Sequence, residues 1–283
     1  MEHIVLEQHP ELDRPTIVMA FRGWNDAGDA ASGAAEYLRE KFDARRFAYM
    51  DPEEFYDFQV VRPVVELVDG TTRHIVWPQN AFWHACVGEH DVVLFIGTEP
   101  NMRWKTFTHE VIALGRELGA RRLVTLGAFL ADVAHTRDVP IVGTAGSPEE
   151  AESLALAPSR YQGPTGIVGV MQDIANRTGL PSVSFWAAVP HYVSSGENPK
   201  AAMALVRRLA SFIEAEIDVE DLRPAAQAWE DAVSEQIGRN EALVEYVRGL
   251  EEANDQTDFT PSSGSLADEV ERFLEQRDGE STE

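Results

Sequence analysis

The fold class follows from the stretch Pro15-Thr16-Ile17-Val18-Met19-Ala20-Phe21-Arg22-Gly23-Trp24-Asn25-Asp26-Ala27-Gly28. Its first half is a continuous apolar run, which predicts a strand buried on both faces, and its second half is a polar turn. Small and apolar residues then recur at helical spacing, which predicts a close-packed helix; they are Ala27, Ala30, Ala31, Ala34, Ala35 and Leu38. The stretch is therefore one strand–turn–helix unit.

Three later segments repeat this arrangement. Apolar runs at 91–97, 122–127 and 181–189 predict further buried strands. A helix with one apolar face follows the first of these runs, and Asn198-Pro199 marks the start of a helix after the last one, as N-cap and first helical residue. Strands without a polar face, alternating with amphipathic helices, predict a mostly parallel sheet covered on both sides, which is a three-layer α/β/α fold.

The pattern changes between the first two units. Two short runs at 64–68 and 73–77 flank Asp69-Gly70, which predicts a β-hairpin with a tight turn. The simplest interpretation is an antiparallel insertion in the α/β domain. Four aromatic residues fall near predicted turns, and we expect some of them to be exposed and to join subunits of a homo-oligomer; they are Trp77, Phe82, Trp83 and Trp104.

The C-terminal part differs from the rest in charge. The last 70 residues hold 21 acidic residues against 5 arginines, a charge of −16 out of −24 for the whole chain. We therefore expect an α/β domain over residues 1–217 and an acidic helical extension over 218–283. The sequence of the extension predicts one long helix, then a linker near 254–265. A short last helix is predicted to begin at Ser265, with disorder from Gly279. Its acidic surface is interpreted as a solvated face or as a docking surface for a basic partner.

Composition excludes several classes of function. With 283 residues and a net charge of −24, the chain should be repelled by nucleic acids and by anionic membranes. No apolar run approaches the roughly 18 residues of a membrane span, and the first residues do not resemble a signal peptide. We expect a cytoplasmic protein. The single cysteine, Cys86, is expected to be a buried packing residue.

Polar side chains follow each predicted parallel strand. Ligands of parallel sheets bind beyond the carboxyl ends of the strands, so convergence of these side chains would form one pocket for a small anion. In that interpretation Asp26 and Glu99 act as acid and base, an arginine holds the anion and Trp24 stacks on the ligand. In the alternative, the carboxylates cap helices and the arginines are solvated. The candidates are Trp24, Asn25, Asp26, Glu99, Asn101, Arg103, His135, Arg137 and His191.

A glycine-rich segment adds a further candidate. Gly163-Pro164-Thr165-Gly166 precedes an apolar helix face, so Thr165 is expected to be the N-cap, and the free amides near Gly166 would hold a phosphate or a carboxylate. Such an entry to a helix also occurs without a ligand. The sequence has no G-x-S-x-G elbow, P-loop lysine or H-x-x-x-H pair, and Ser194-Ser195 lack the turn of a nucleophile. It assigns no catalytic residue, metal ligand or cofactor.

Four motifs follow one another along the chain: Phe21-Arg22-Gly23-Trp24-Asn25-Asp26-Ala27-Gly28-Asp29-Ala30, Gly97-Thr98-Glu99-Pro100-Asn101, Gly127-Ala128-Phe129 with His135-Thr136-Arg137, and Gly163-Pro164-Thr165-Gly166. In this order they resemble the PAC2 family, which is named for proteasome assembly chaperones. The resemblance implies a phosphorylase-like α/β domain and homo-oligomers, and the acidic C-terminal helices are similar to those of the actinobacterial branch. It also implies binding to proteasome α-subunits. The tail Glu280-Ser281-Thr282-Glu283 departs from the hydrophobic-Tyr-x ending of chaperones that dock in proteasome pockets.

Two functions follow. The first is a non-catalytic binding or assembly protein, a homo-oligomer such as a trimer, which uses its acidic helices for proteasome subunits or another protein. The second is an enzyme or sensor that binds a small anionic ligand, such as a nucleoside, a phosphate ester or a carboxylate, at the strand ends.

Overall fold

The computed structural model describes residues 1–68, 70–154, 156, 162–193 and 196–256. The predicted short last helix and C-terminal disorder lie outside these residues. The strands are β1 (Ile4–Leu6), β2 (Thr16–Arg22), β3 (Arg45–Met50), β4 (Val64–Val68), β5 (Thr72–Val76), β6 (Asn80–Val87), β7 (His90–Thr98), β8 (Arg122–Ala131), β9 (Ile141–Ala145) and β10 (Ser182–Pro190). The helices are α1 (Ala30–Lys41), α2 (Trp104–Glu117), α3 (Pro148–Ser153), α4 (Ile167–Arg177), α5 (Pro199–Ile213), α6 (Arg223–Ile237) and α7 (Glu241–Gln256).

Eight strands form one sheet, in the order β1-β3-β6-β7-β2-β8-β10-β9. The four central strands β7, β2, β8 and β10 are parallel, and they are the four strands that the apolar runs predict. The outer strands β1, β3, β6 and β9 pair antiparallel. The α/β class with a parallel centre is confirmed, and the antiparallel borders extend it.

Helices cover both faces of this sheet, as the three-layer prediction requires. On one face, α1 and α5 pack on a core that includes fully buried Ala30, Ala31 and Ala34. These small side chains allow a close approach, since a Cβ added at Gly33 would lie 3.7 Å from the Cβ of Ala202. On the other face, α2 and α4 pack on an aromatic-rich core around Phe95.

The predicted hairpin is present as a separate two-stranded sheet. Strand β4 pairs antiparallel with β5, with Val64 opposite Val76. Both strands are almost entirely exposed, in contrast to the buried strands of the main sheet. The insertion therefore projects from the α/β domain.

The described part of the C-terminal extension, residues 218–256, contains two α-helices where the stripe of apolar residues predicts one. The break falls at Gly238–Asn240, where the Asn240 side chain accepts hydrogen bonds from the amides of Ala242 and Leu243 and so starts α7. Apolar side chains of both helices pack with Ala134 in one cluster; they are Val233, Ile237, Val247 and Leu250. The extension thus folds back over the loops that follow β8 and β10.

The prediction that Cys86 is buried is wrong: it is exposed, because its neighbours Ala85 and Val87 occupy the buried face of β6.

Among the helices of the described residues, none combines the length and apolarity needed to cross a membrane.

Candidate functional site

The loops after β2, β7, β8 and β10 lie along one edge of the sheet, because these strands are parallel neighbours. Across the sheet these four strands lie in the order β7-β2-β8-β10. The chain moves from β2 to β7 in one direction and then from β7 to β8 and β10 in the other. The direction of winding therefore reverses between β2 and β8. Doubly wound sheets bind ligands at that point. The sequence-predicted residues lie along this edge, in three groups with different partners.

The first group joins the loops after β2 and β7 to the start of α4. The Glu99 carboxylate accepts a hydrogen bond from the Asn25 side-chain amide at 2.9 Å and one from the backbone amide of Ile167 at 2.8 Å. The start of α4 therefore already holds a carboxylate from its own chain. Asn25 is buried, and none of the described residues donates a hydrogen bond to its Oδ1.

The N-cap of α4 is Gly166, and the prediction that Thr165 is the N-cap is wrong. Thr165 is exposed, and no side chain of the N-cap residue caps this helix. A Cβ added at Gly166 would lie 2.1 Å from the Oδ1 of Asn25, so only glycine allows the loop to approach this closely. The Glu99 carboxylate, from a distant part of the chain, binds the first amide of α4 in place of an N-cap side chain.

Asp26 caps a different helix. Its carboxylate is buried and accepts hydrogen bonds from the amides of Ala31 at 2.6 Å and Ser32 at 3.3 Å, at the start of α1. Burial raises the pKa of Asp26 to about 6, although the hydrogen bonds from Ser32 and Ala31 lower it. The contacts of Asp26 therefore match the alternative interpretation of the sequence, in which this carboxylate caps a helix.

The crevice between β2 and β8 is closed by the chain itself. The backbone oxygen of Asn25 accepts a hydrogen bond from the amide of Ala128 at 2.8 Å, and Asp26 forms a parallel bridge with the same residue. The pairing between β2 and β8, which stops at Met19 and Thr125, thus resumes in the loop after β2. Trp24 lies beside this closure with its side chain exposed.

Asn101 and Arg103 form the second group and hold the segment that leads to the hairpin. The Asn101 side-chain oxygen accepts a hydrogen bond from the backbone amide of Asp57 at 3.0 Å. The backbone amide of Asn101 donates to the backbone oxygen of Phe55 at 2.9 Å. Arg103 forms an ion pair with Glu54. These residues fix the base of the insertion instead of facing Asp26 and Glu99.

The third group consists of His135, Arg137 and His191, which are covered by the C-terminal helices. His135 is buried; its Nδ1 lies 2.9 Å from the Tyr192 hydroxyl and its Nε2 lies 3.0 Å from the Ser234 hydroxyl. The Arg137 guanidinium donates two hydrogen bonds of 2.8 Å to the Asp255 carboxylate.

His191 lies beside the same helices, with its Nδ1 3.2 Å from the carboxylate of Asp132 and its ring 5.7 Å from that of Tyr246. All three residues of the group therefore contact the extension or the loops beneath it.

Tyr192 follows the fourth predicted strand directly after His191, but Lys200 and Ser234, which also contact His135, carry no sequence signal. Lys200 donates a hydrogen bond to the backbone oxygen of His135 at 2.7 Å and pairs with Glu230 of α6. Tyr192 and Ser234 bind the two ring nitrogens of His135 from segments 57 and 99 residues away. Only the folding back of α6 brings these groups together.

Stability is expected to fall at acidic pH through His135. Burial lowers the pKa of its imidazole below the ordinary 6.5, with Lys200 adding to the effect while Glu230 and Glu251 oppose it. A histidine whose pKa is depressed in the folded state contributes stability that is complete above pH 6.5 and is lost as the pH falls below that value. Protonation would also remove one acceptor nitrogen between Tyr192 and Ser234.

The variant His135→Gln keeps a hydrogen-bonding side chain without this charge. Urea unfolding at pH 5.5 and 7.5 should show a smaller loss of stability on acidification for His135→Gln than for the wild type. His9→Gln, at an exposed histidine, serves as the control and should follow the wild type. Equal acid sensitivity in all three proteins would contradict the assignment.

In the described part of the chain, the predicted site residues form no metal-binding cluster, and a cavity at the opposite edge of the sheet lies away from them. Among the described residues, no group of three or more histidine, cysteine, aspartate or glutamate side chains is placed to hold a metal ion. A cavity of about 360 Å³ lies at the opposite edge of the sheet, near His90, Arg122, Phe212 and Glu214, and none of the predicted site residues lines it.

Comparisons with known proteins agree with this fold. The family model described as PAC2 family matches residues 20–237. A crystal structure of a PAC2 family protein from Streptomyces avermitilis is 45% identical, with a TM-score of 0.78, and the match covers 82% of this chain and 99% of that chain. A proteasome-assembly chaperone homologue from Mycobacterium tuberculosis is 46% identical, with a TM-score of 0.76 and the same coverage.

A more distant match concerns the fold alone. An archaeal proteasome activator from Pyrococcus furiosus is 16% identical, with a TM-score of 0.67, and the match covers 83% of this chain and 99% of that chain. No curated protein matches the sequence.

Proposed function

Because the chain belongs to the PAC2 family, we propose that it is a non-catalytic, self-associating assembly chaperone that binds proteasome subunits in the cytoplasm. The homologue from Mycobacterium tuberculosis, 46% identical, is described as a proteasome-assembly chaperone homologue. The archaeal protein of the same fold is described as a proteasome activator.

The observation that carries the non-catalytic part is the use of the strand-end polar groups within the chain. Glu99 binds the start of α4, and Asp26 binds the start of α1. The winding reversal between β2 and β8 is closed by Asn25 and Ala128. An acid–base pair has to reach a substrate, whereas Asp26 faces the amides that start α1, and Glu99 faces the Asn25 side chain and the amide that starts α4.

The acidic extension is the proposed contact for the partner. Three arginines of this region pair with a glutamate of the same segment, namely Arg223 with Glu220, Arg239 with Glu235 and Arg248 with Glu245. Other acids, such as Glu241 and Glu252 of α7, are exposed and form no ion pair within the described part of the chain. This surface suits a partner with a basic face, and it speeds the encounter with one.

We expect charge reversal on α7 to weaken capture of the partner. Purified proteasome α-subunits would be titrated with the wild type and with Glu241→Lys/Glu252→Lys, at two salt concentrations. The association rate should fall several-fold in the variant, and the difference should shrink at high salt. Glu11→Lys/Glu89→Lys makes the same charge change on other exposed positions and should bind as the wild type does. Failure of the wild type to bind any α-subunit would overturn the proteasome part of the proposal.

A small-anion function remains the second candidate because of Asp26. Burial raises the pKa of Asp26 to about 6, and a pKa shifted in this way is common for acid–base residues. A thermal-shift screen with phosphate, nucleotides and organic acids distinguishes the two functions. A ligand at 100 times its Kd adds about 2.7 kcal/mol of stability, and such a shift would favour the second function.

A further inference from the structure

The hairpin of β4 and β5 leaves more apolar surface uncovered than any strand of the main sheet. Its two strands pair only with each other, so each also has an unpaired backbone edge. Neither strand contains lysine or proline, the residues that commonly protect such edges. The exposed side chains, between 47% and 70% accessible, are Val60, Val64, Val65, Leu67, Val68, Ile75 and Trp77.

One side of the hairpin is especially apolar. Val65 lies opposite Ile75 and Leu67 lies opposite Arg73, so these side chains share one face of the two-stranded sheet. Trp77 continues the same alternation, and its ring contacts Phe58 at 4.9 Å, next to the segment that Asn101 and Arg103 hold. We name the group Val65, Leu67, Ile75 and Trp77 the apolar hairpin face.

An isolated two-stranded hairpin is marginally stable in water, so this face needs a partner. We propose that the apolar hairpin face packs against the hairpin of a second copy of this chain. This inference rests on the self-association in the proposed function and assigns it a surface. Of the four aromatic residues that the sequence suggests for subunit contacts, only Trp77 belongs to this surface; Phe82 is buried and stacks on Phe95 at 4.0 Å.

Charge favours a second copy as the occupant. Residues 58–79 contain two arginines, one glutamate and one aspartate, so the segment has no net charge although the chain carries −24. Two strongly acidic copies repel each other least where their surfaces are neutral. A basic partner would instead be drawn to the acidic extension.

The area of the apolar hairpin face fits a weak, reversible association. Its four side chains, each about half exposed, offer on the order of 400 Å² per copy, hence about 800 Å² for two copies, which is the size of a weak or transient contact. Pairing of the free strand edges would add backbone hydrogen bonds between the copies. The expected association is therefore moderate and depends on concentration.

The structure supplies a clean deletion. Because Val64 and Val76 are cross-strand partners, residues 65–75 can be replaced by Asn-Gly, which closes the hairpin with a two-residue turn and leaves the α/β domain untouched. Sedimentation equilibrium over a wide concentration range should show oligomers for the wild type and monomers for this variant. Circular dichroism and the Tm verify that the domain is folded.

A substitution provides a second, milder test. Leu67→Lys/Ile75→Lys should raise the Kd of association by at least about 100-fold, because two charges would be buried in the contact. The matched control is Val5→Lys/Leu6→Lys, which places the same two charges on exposed apolar positions of β1. This control should associate as the wild type does.

Cross-linking identifies the neighbour. In a Cys86→Ser background, Ile75→Cys should form a disulfide between copies on mild oxidation, while Val5→Cys should not.

The outcomes separate this inference from the proposed function. Oligomers that persist in the deletion variant would overturn the hairpin assignment and leave self-association standing. A wild type that is monomeric at all concentrations would overturn both. If such a monomer loses proteasome capture only when the hairpin is deleted, the face belongs to that partner and not to a second copy.

Discussion

Gly97→Ala is expected to lower the free energy of unfolding by about 4 kcal/mol, a large share of the 5–15 kcal/mol of a typical domain. Gly97 lies in β7, beside Asn80 at the start of the neighbouring strand β6. A Cβ added there would lie 1.6 Å from the Oδ1 of Asn80 and 2.7 Å from its Cα. Because the Asn80 Cα is a backbone atom, a different rotamer of the Asn80 side chain cannot relieve the clash.

The Asn80 side chain cannot move without breaking a buried network. It accepts a hydrogen bond from the Thr98 amide at 2.6 Å and donates one to the Tyr56 hydroxyl at 2.6 Å. Tyr56 in turn donates to the backbone oxygen of Thr98 at 2.6 Å. Displacing Asn80 would leave buried polar groups unsatisfied, at about 1–3 kcal/mol for each, and would loosen the segment that carries the hairpin.

The measurement is urea unfolding with Gly249→Ala as the control. Gly249 lies inside α7, and no atom would lie within 4 Å of an added Cβ, so this change should be neutral or stabilise by up to about 1 kcal/mol. In a double-mutant cycle, Asn80→Ala should absorb part of the Gly97→Ala cost, since it removes the Oδ1 atom from the clash. A loss below 1 kcal/mol for Gly97→Ala would show that β6 and β7 separate easily here.

The parallel centre of the fold is readable from the sequence because its strands are buried on both faces. Continuous runs such as 92–96 have no other common explanation in a chain with alternating helices. The antiparallel borders give no such signal. In β3, Arg45 and Arg46 are exposed while Phe47 and Ala48 are buried, and a bulge between Arg46 and Ala48 interrupts the alternation.

The site residues show a different limit. The sequence identifies which polar residues follow the strands, but not what they contact. Glu99 meets Ile167, 68 residues away, and Arg137 meets Asp255, 118 residues away. Such partners depend on helix docking, and no local pattern encodes it. The same holds for Thr165, whose expected capping role passes to the distant carboxylate of Glu99.

Asp26→Asn is expected to stabilise the protein at neutral pH by about 2 kcal/mol. The wild-type carboxylate is buried at the start of α1, and burial raises its pKa from 3.8 to about 6. Asparagine keeps an oxygen that can accept the hydrogen bonds from the amides of Ala31 and Ser32, and it has no charge to bury. The favourable helix dipole is lost, but it contributes less than the desolvation penalty that the raised pKa indicates.

The sign of the pH dependence follows from this shift. Because the folded-state pKa lies above the unfolded value, the ionised carboxylate costs stability, and the cost is absent below about pH 4. It grows as the pH rises towards 6 and is complete above about pH 7. The advantage of Asp26→Asn over the wild type should therefore increase by about 2 kcal/mol between pH 4.5 and pH 7.5.

Urea unfolding of both proteins at these two pH values measures the effect. Asp29→Asn is the matched control: the residue lies three positions further on, is exposed, and has a φ of 47°, which asparagine tolerates well. Its effect should stay within about 0.5 kcal/mol at both pH values. If Asp26→Asn is instead less stable than the wild type at pH 7.5, the charge on Asp26 stabilises α1 despite burial. The carboxylate would then be fully ionised at neutral pH, and its suitability as an acid–base group in the small-anion function would be lost with it.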